Sequence, residues 1–143
     1  MWIILALCAS LFWGLTYVFN EQVYSKISVF TSLGLTSIIV GVITLLISHF
    51  GGMLKPDLFE LGESKKLLCY FIGGVGALLI AELFIGFSIV AKNATLAGLI
   101  EISYPIFIAI FSYILFKNNV STPTIIGGVI IFIGIFVIYY FNH

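Results

Sequence analysis

Apolar residues gather along this chain into five stretches, each of the roughly 20 mostly apolar positions that a helix needs to cross a bilayer. They cover residues 2–19, 29–49, 67–90, 95–116 and 123–141. The connections at 20–28, 91–94 and 117–122 are short, whereas 50–66 contains Gly51-Gly52, Pro56 and many of the charges. This pattern predicts an all-α membrane protein whose residues 1–143 make a single five-helix transmembrane domain, with no room for a soluble one. The first stretch lacks a basic leading region and carries Trp13 and Tyr17 where a signal peptide would need small residues, so it is expected to stay in the mature protein.

Polar and small positions inside the stretches fall on faces. In the second, Gly34, Ser37, Gly41, Thr44 and Ser48 recur at alternating steps of three and four, a small-residue seam suited to helix packing. In the fifth, Gly127 and Gly134 stand seven apart on one face and are expected to allow close approach in the same way. The first stretch has an amphipathic aromatic stripe, Ser10, Trp13, Tyr17 and Glu21 with Gly14 beside it, which suits either a cavity wall or a tight helix contact. Tyr139 and Tyr140, followed by Asn142 and His143, read as an interfacial anchor. In the long connection, Lys55-Pro56-Asp57-Leu58-Phe59-Glu60-Leu61 has Pro in a first turn and acids near a positive helix end, so a short interfacial helix is expected there. Glu63, Lys65 and Lys66 are expected to form a solvated edge.

Composition fits the pattern: 62% of residues are hydrophobic and 8% charged, far outside soluble usage. Six lysines, no arginine and six acids leave no net charge, which gives no electrostatic case for nucleic acid or for an anionic surface. Cys8 and Cys69 make neither a metal-ligand spacing nor a disulfide framework and read as small core residues; no metal or cofactor is expected. Asn93-Ala94-Thr95 and Asn119-Val120-Ser121 match a glycosylation pattern, but in loops too short to stand clear of a bilayer.

The segment 82–121 concentrates what lipid least tolerates. It holds Glu82, Glu101, Lys92 and Pro105. In one continuous helix Pro105 would kink the chain and leave the carbonyl of Glu101, four residues earlier, without its usual donor. An acid and a freed carbonyl at membrane depth mark a candidate functional site. Counted from a tight turn at Asn93, Glu82 lies 11 residues before and Glu101 8 after, so at about 1.5 Å per residue their depths differ by only about 5 Å. The expected substrate- and proton-binding residues are therefore Glu101 and Glu82, with Trp13, Tyr17 and Tyr104, whose ring faces suit an aromatic or cationic solute. The same residues also suit a structural role, each acid tying helices together as a neutral hydrogen-bonding group, or Glu82 pairing with Lys92.

The passage 91–140 resembles the second half of a repeat of the drug/metabolite transporter superfamily, EamA type. The agreeing residues are Ala91-Lys92 before a short turn, Ala97 and Gly98 opening the next helix, Tyr104-Pro105 within it, and Ile126-Gly127 and Ile133-Gly134 in the last. Leu11-Phe12-Trp13-Gly14 is similar to the Trp-Gly signature early in that family's first helix. Where the family often has an acid after the fourth helix, this chain has Asn118. The resemblance implies one five-helix repeat of a ten-helix transporter, hence a half-size secondary transporter, in the exporting direction, of small metabolites, amino acids or drugs. Because five is odd, two copies must insert oppositely to recreate the fused arrangement, so an antiparallel homodimer in the inner (plasma) membrane is implied. The small multidrug resistance branch fits less well, since its first helix carries a central glutamate and this first stretch has no acid before Glu21.

No nucleotide-binding signature, zinc motif or Ser/His pairing is present, and an enzyme is not expected. The competing reading is a non-transporting integral membrane assembly or regulatory subunit, for which packing seams alone would suffice.

Overall fold

The computed structural model describes residues 1–141; Asn142 and His143, the polar end of the proposed anchor, lie outside the described residues. The chain is helical: α1 Trp2–Tyr24, α2 Val29–Phe50, α3 Leu54–Glu63, α4 Lys65–Ala91, α5 Ala94–Glu101, α6 Tyr104–Phe116 and α7 Thr122–Phe141. Among the described residues five spans, with α5 and α6 sharing one, are long and apolar enough to cross a membrane, in line with the hydropathy pattern. α1 runs past its apolar stretch through Asn20, Glu21 and Gln22, of which Glu and Gln are good helix formers. Its 23 residues extend about 35 Å, more than the roughly 30 Å of hydrocarbon.

Polar side chains set the helix starts. Ser28 Oγ accepts from the Thr31 N–H at 3.2 Å, Asn93 Oδ1 from the Leu96 N–H at 2.8 Å and Ser64 Oγ from the Leu67 N–H at 3.3 Å. Ser121 Oγ accepts from the Thr124 N–H at 3.4 Å. Each bond satisfies a donor that the first turn would otherwise leave unpaired in lipid. Asn93 and Ser121, both members of the glycosylation patterns, thus serve as helix caps. The amphipathic α3 has Pro56 and Asp57 in its first turn, as the long connection predicts, and it packs on α2.

α6 ends differently. Lys117 takes the left-handed conformation, φ 56°, and its N–H bonds to the Tyr113 carbonyl at 2.9 Å. The Asn118 N–H returns to the Ser112 carbonyl at 3.3 Å, and its side-chain Nδ2 donates to Ser112 Oγ at 3.0 Å. This is an αL-motif stop, the C′ N–H returning to the carbonyl four residues back, with a lysine where glycine is usual.

The helices fall into two compact units. In the first, Met1–Phe19 with the chain from Ala91 onward, α7 packs on α5 and α6, and Ala94 and Ala97 are buried. In the second, Asn20–Val90, Val29, Ser32 and Ile89 are buried, and the rings of Phe30 and Phe87 meet edge to face at 5.5 Å. Most large apolar side chains point outward, as they must where lipid is the solvent. Cys8 and Cys69, expected as core residues, are exposed: the apolar run that suggested burial is here a surface that hydrocarbon wets.

Candidate functional site

In the first unit, α1 presents Trp13 and Tyr17 one turn apart, ring centroids 5.8 Å apart and tilted by 54°. α5 presents Gly98 and Glu101, three residues apart and so on one face. The Tyr17 ring lies against Gly98, where a Cβ would come within 3.1 Å of its Cδ2 and 3.4 Å of its Cε2. From that seat the Tyr17 hydroxyl donates a hydrogen bond to Oε2 of Glu101. Glycine makes the room, the ring fills it, and the phenol thereby reaches the acid one turn on. To an ionised carboxylate such a bond is charge-assisted and about twice as strong as a neutral one.

Glu101 is also the last residue of α5. The span is interrupted there, beyond the kink that a proline in one continuous helix predicts. The Ile102 N–H returns to the Gly98 carbonyl and the Ser103 N–H to the Ile100 carbonyl, each at 3.2 Å, and α6 begins at Tyr104. Pro105 takes the second position of α6, where its missing N–H costs nothing. The acid therefore stands at a discontinuity in a membrane span, the backbone context in which transporters bind solutes and ions. Tyr104, three residues on, is exposed.

The second unit holds Glu82, half-buried on α4. One turn further, Gly86 is buried where a Cβ would meet Val29 Cγ1 at 2.5 Å and the Tyr24 hydroxyl at 3.5 Å. Tyr24, absent from the expected site, was legible only as a second tyrosine seven residues, two helical turns, after Tyr17. The structure thus brings together Trp13, Tyr17 and Glu101 in one unit, with Pro105 second in α6 and four residues after Glu101, and places Glu82 in the other unit.

The glycines divide in the same manner. Within their own units, Gly34, Gly41, Gly127 and Gly134 face open space, and a Cβ on any of them would meet nothing within 4 Å among the described residues. Close approaches of a glycine to the side chain of another helix occur at Gly86, Gly98 and Gly128, the last with Ile106 Cγ1 at 3.0 Å. Gly127 lines an apolar groove of about 1140 Å³ between α6 and α7, which runs from Pro105 to Phe136. Among the described residues no three His, Cys, Asp or Glu side chains gather as a metal site would need.

The model of the EamA-like transporter family matches residues 1–140. The chain belongs to that family. Membership makes this EamA-like chain a multi-pass membrane transporter of small molecules. No curated protein and no solved structure matches it. The Trp13-Gly14 and Tyr104-Pro105 pairs that carry the resemblance flank the Tyr17–Glu101 bond of the EamA-like chain in sequence, on α1 and at the start of α6.

Proposed function

We propose that this EamA-like protein is a secondary transporter that exports small metabolites, amino acids or drugs across the inner (plasma) membrane, with Glu101 as its principal proton- and substrate-binding group and Glu82 as a second. The observation that carries the reading is the hydrogen bond from Tyr17 to Glu101 at the interruption between α5 and α6. An acid held at a broken span is able to exchange a proton or receive a cationic group. Tyr17 at the acid, Trp13 tilted against it, and Tyr104 offer ring faces to such a solute.

The working unit is a homodimer of opposed protomers. Two features support it. The outward-facing Gly34, Gly41, Gly127 and Gly134 provide surfaces on which a second copy can pack closely. The lysines are only weakly biased: Lys55, Lys65, Lys66 and Lys117 fall on one side of the membrane, Lys26 and Lys92 on the other, so both orientations insert.

Reconstitution in liposomes under a pH gradient tests the transport reading. Substrate flux that Glu101→Gln abolishes, and that Glu82→Gln lowers less, supports it. Full pH-driven flux by the double Gln variant removes the acids from the mechanism, and no flux of any small solute favours an assembly or regulatory subunit. Reporters fused at the C-terminus should be active on both sides of the membrane; activity on one side alone removes the dual topology.

A further inference from the structure

The groove between α6 and α7 is polar at one end and apolar along the rest of its length. Its polar lining residues, Tyr113, Asn119 and Thr124, all lie beside the turn that joins the two helices, in the last turn of α6, in the connection and in the first turn of α7. From Thr124 the wall on α7 runs to Phe136, about 18 Å at 1.5 Å per residue, with Ile106 and Ala109 of α6 on the opposite wall. That length is close to half the thickness of the hydrocarbon, about 15 Å, the depth that the acyl chains of one leaflet fill.

A cation stands at the polar end. Lys117 follows the last residue of α6, and its Nζ lies 5.6 Å from the centroid of the Tyr113 ring, which lines the groove. The only acidic side chain of the first unit belongs to Glu101, beyond the opposite end of α6, whose 13 residues extend about 20 Å. Within that unit Lys117 therefore has no carboxylate to neutralise it. It also holds a left-handed backbone, φ 56°, a conformation better suited to glycine, so an ammonium group is placed here despite local strain.

We infer that this groove holds one anionic phospholipid, its acyl chain lying along α6 and α7 and its phosphate at the Lys117 ammonium. Length, polarity and charge all fit that occupant: the apolar part matches one leaflet, the polar lining is confined to the end where a headgroup lies, and the unneutralised cation is at that same end. A basic side chain at a cleft between membrane helices is a binding place for anionic headgroups, and one lysine near an anionic lipid surface is worth about fivefold in affinity. The inference does not depend on the transport reading. Gly127 belongs both to the α7 wall and to the surface proposed for a second copy, so the test acts on Lys117 and on Ala109 of the α6 wall.

Native mass spectrometry of the purified chain, released from detergent that contains dioleoylphosphatidylglycerol or dioleoylphosphatidylcholine, reads both contacts. The parent should retain one phosphatidylglycerol per chain about fivefold better than phosphatidylcholine. Lys117→Gln should make the two lipids equal, and Ala109→Phe, which puts a ring into the groove, should lower retention of both. In the parent chain itself, phosphatidylglycerol with a diazirine on its acyl chain, supplied at one lipid per chain, should crosslink to Ala109 or Phe132 in preference to α2; this arm stands even if Ala109→Phe fails to fold. Phosphatidylglycerol should raise the melting temperature, and inorganic phosphate should not. Equal retention of the two lipids by the parent, or a preference that survives Lys117→Gln, overturns the headgroup contact and the proposal with it. Crosslinks spread evenly over the helices, or a phosphate effect as large as that of the lipid, remove the acyl chain from the groove. Undiminished lipid retention by Ala109→Phe together with a loss of dimer mass gives the groove to a second copy and overturns the proposal as well.

Discussion

Val29 Cγ1 stands 2.5 Å from the point that a Cβ on Gly86 would occupy, so α2 and α4 meet where neither helix has room for one more carbon. Val29 is β-branched and nearly fixed in its rotamer, which leaves it little freedom to yield. Gly86→Ala is therefore expected to cost about 1–3 kcal/mol by overpacking. Thermal unfolding in detergent measures the loss, and Val29→Ala in the same chain should restore most of it. A Gly86→Ala melting temperature equal to that of the parent would mean that the helices part without penalty.

At Gly98 the contact is looser, 3.1 Å, and the neighbour is a ring that can swing. Gly98→Ala should then affect function more than stability, because displacing the Tyr17 ring draws its hydroxyl off Glu101. A hydrogen bond to a charged group contributes about 1.5–3 kcal/mol, which sets the expected loss of flux at about ten- to a hundredfold. Gly98→Leu should abolish transport. Unchanged flux in the alanine variant would show that the phenol follows the acid wherever it is pushed.

Lys117 holds a left-handed backbone that costs a residue with a side chain about 1–2 kcal/mol. Lys117→Gly should relieve that strain, and after glycine's greater unfolded-state freedom is set against it, raise stability by up to about 1 kcal/mol. Asn118→Ala should lower stability by about 0.5–1.5 kcal/mol, since it removes the bond to Ser112 Oγ. Paired melting curves decide both. Destabilisation by Lys117→Gly would point to a role for the lysine's charge, whose Nζ stands 5.6 Å from the Tyr113 ring centroid.

Gly127 and Gly134 carry the proposed contact with a second copy. Leucine at either position should push the partner helix away and lower crosslinking yield and dimer mass, because in lipid close backbone approach, not burial, favours association. Each glycine has open space within its own unit, so the monomer should fold as before. Dimers of undiminished yield in both detergent and lipid would assign these glycines to the lipid face.

Much of the helical layout was legible because hydropathy answers one question well: which residues can lie in hydrocarbon. It located the five spans, and the turn chemistry of Pro56 marked a helix start that the structure retains. It missed the last turn of α1, where Glu21 and Gln22 are polar yet helix-forming. It read one kinked span where Pro105 opens a new helix, since a proline is equally at home in a kink and in a first turn. Small-residue periodicity named faces able to approach another helix; it carried no information on which of them do so within the chain, and the close contacts fell at Gly86, Gly98 and Gly128. Glu101 could be singled out from its cost in lipid and Tyr17 from the aromatic stripe, but their pairing could not, because the register between α1 and α5 is set by packing that no local pattern encodes.

The interruption after Glu101 divides its span unequally, about 12 Å of α5 and about 20 Å of α6 at 1.5 Å per residue. The self-energy of a charged or strongly dipolar solute climbs towards the middle of a low-permittivity slab. On the proposed reading, in which Glu101 lies on the solute's path, fixed dipoles and an acid set about a third of the way along turn that single climb, for a cation, into two shorter ones with a well between them. A crossing solute then has a resting depth. Its rate is governed by the higher of two modest barriers, each lowering of about 1.4 kcal/mol speeding passage tenfold, in place of the full height of the slab.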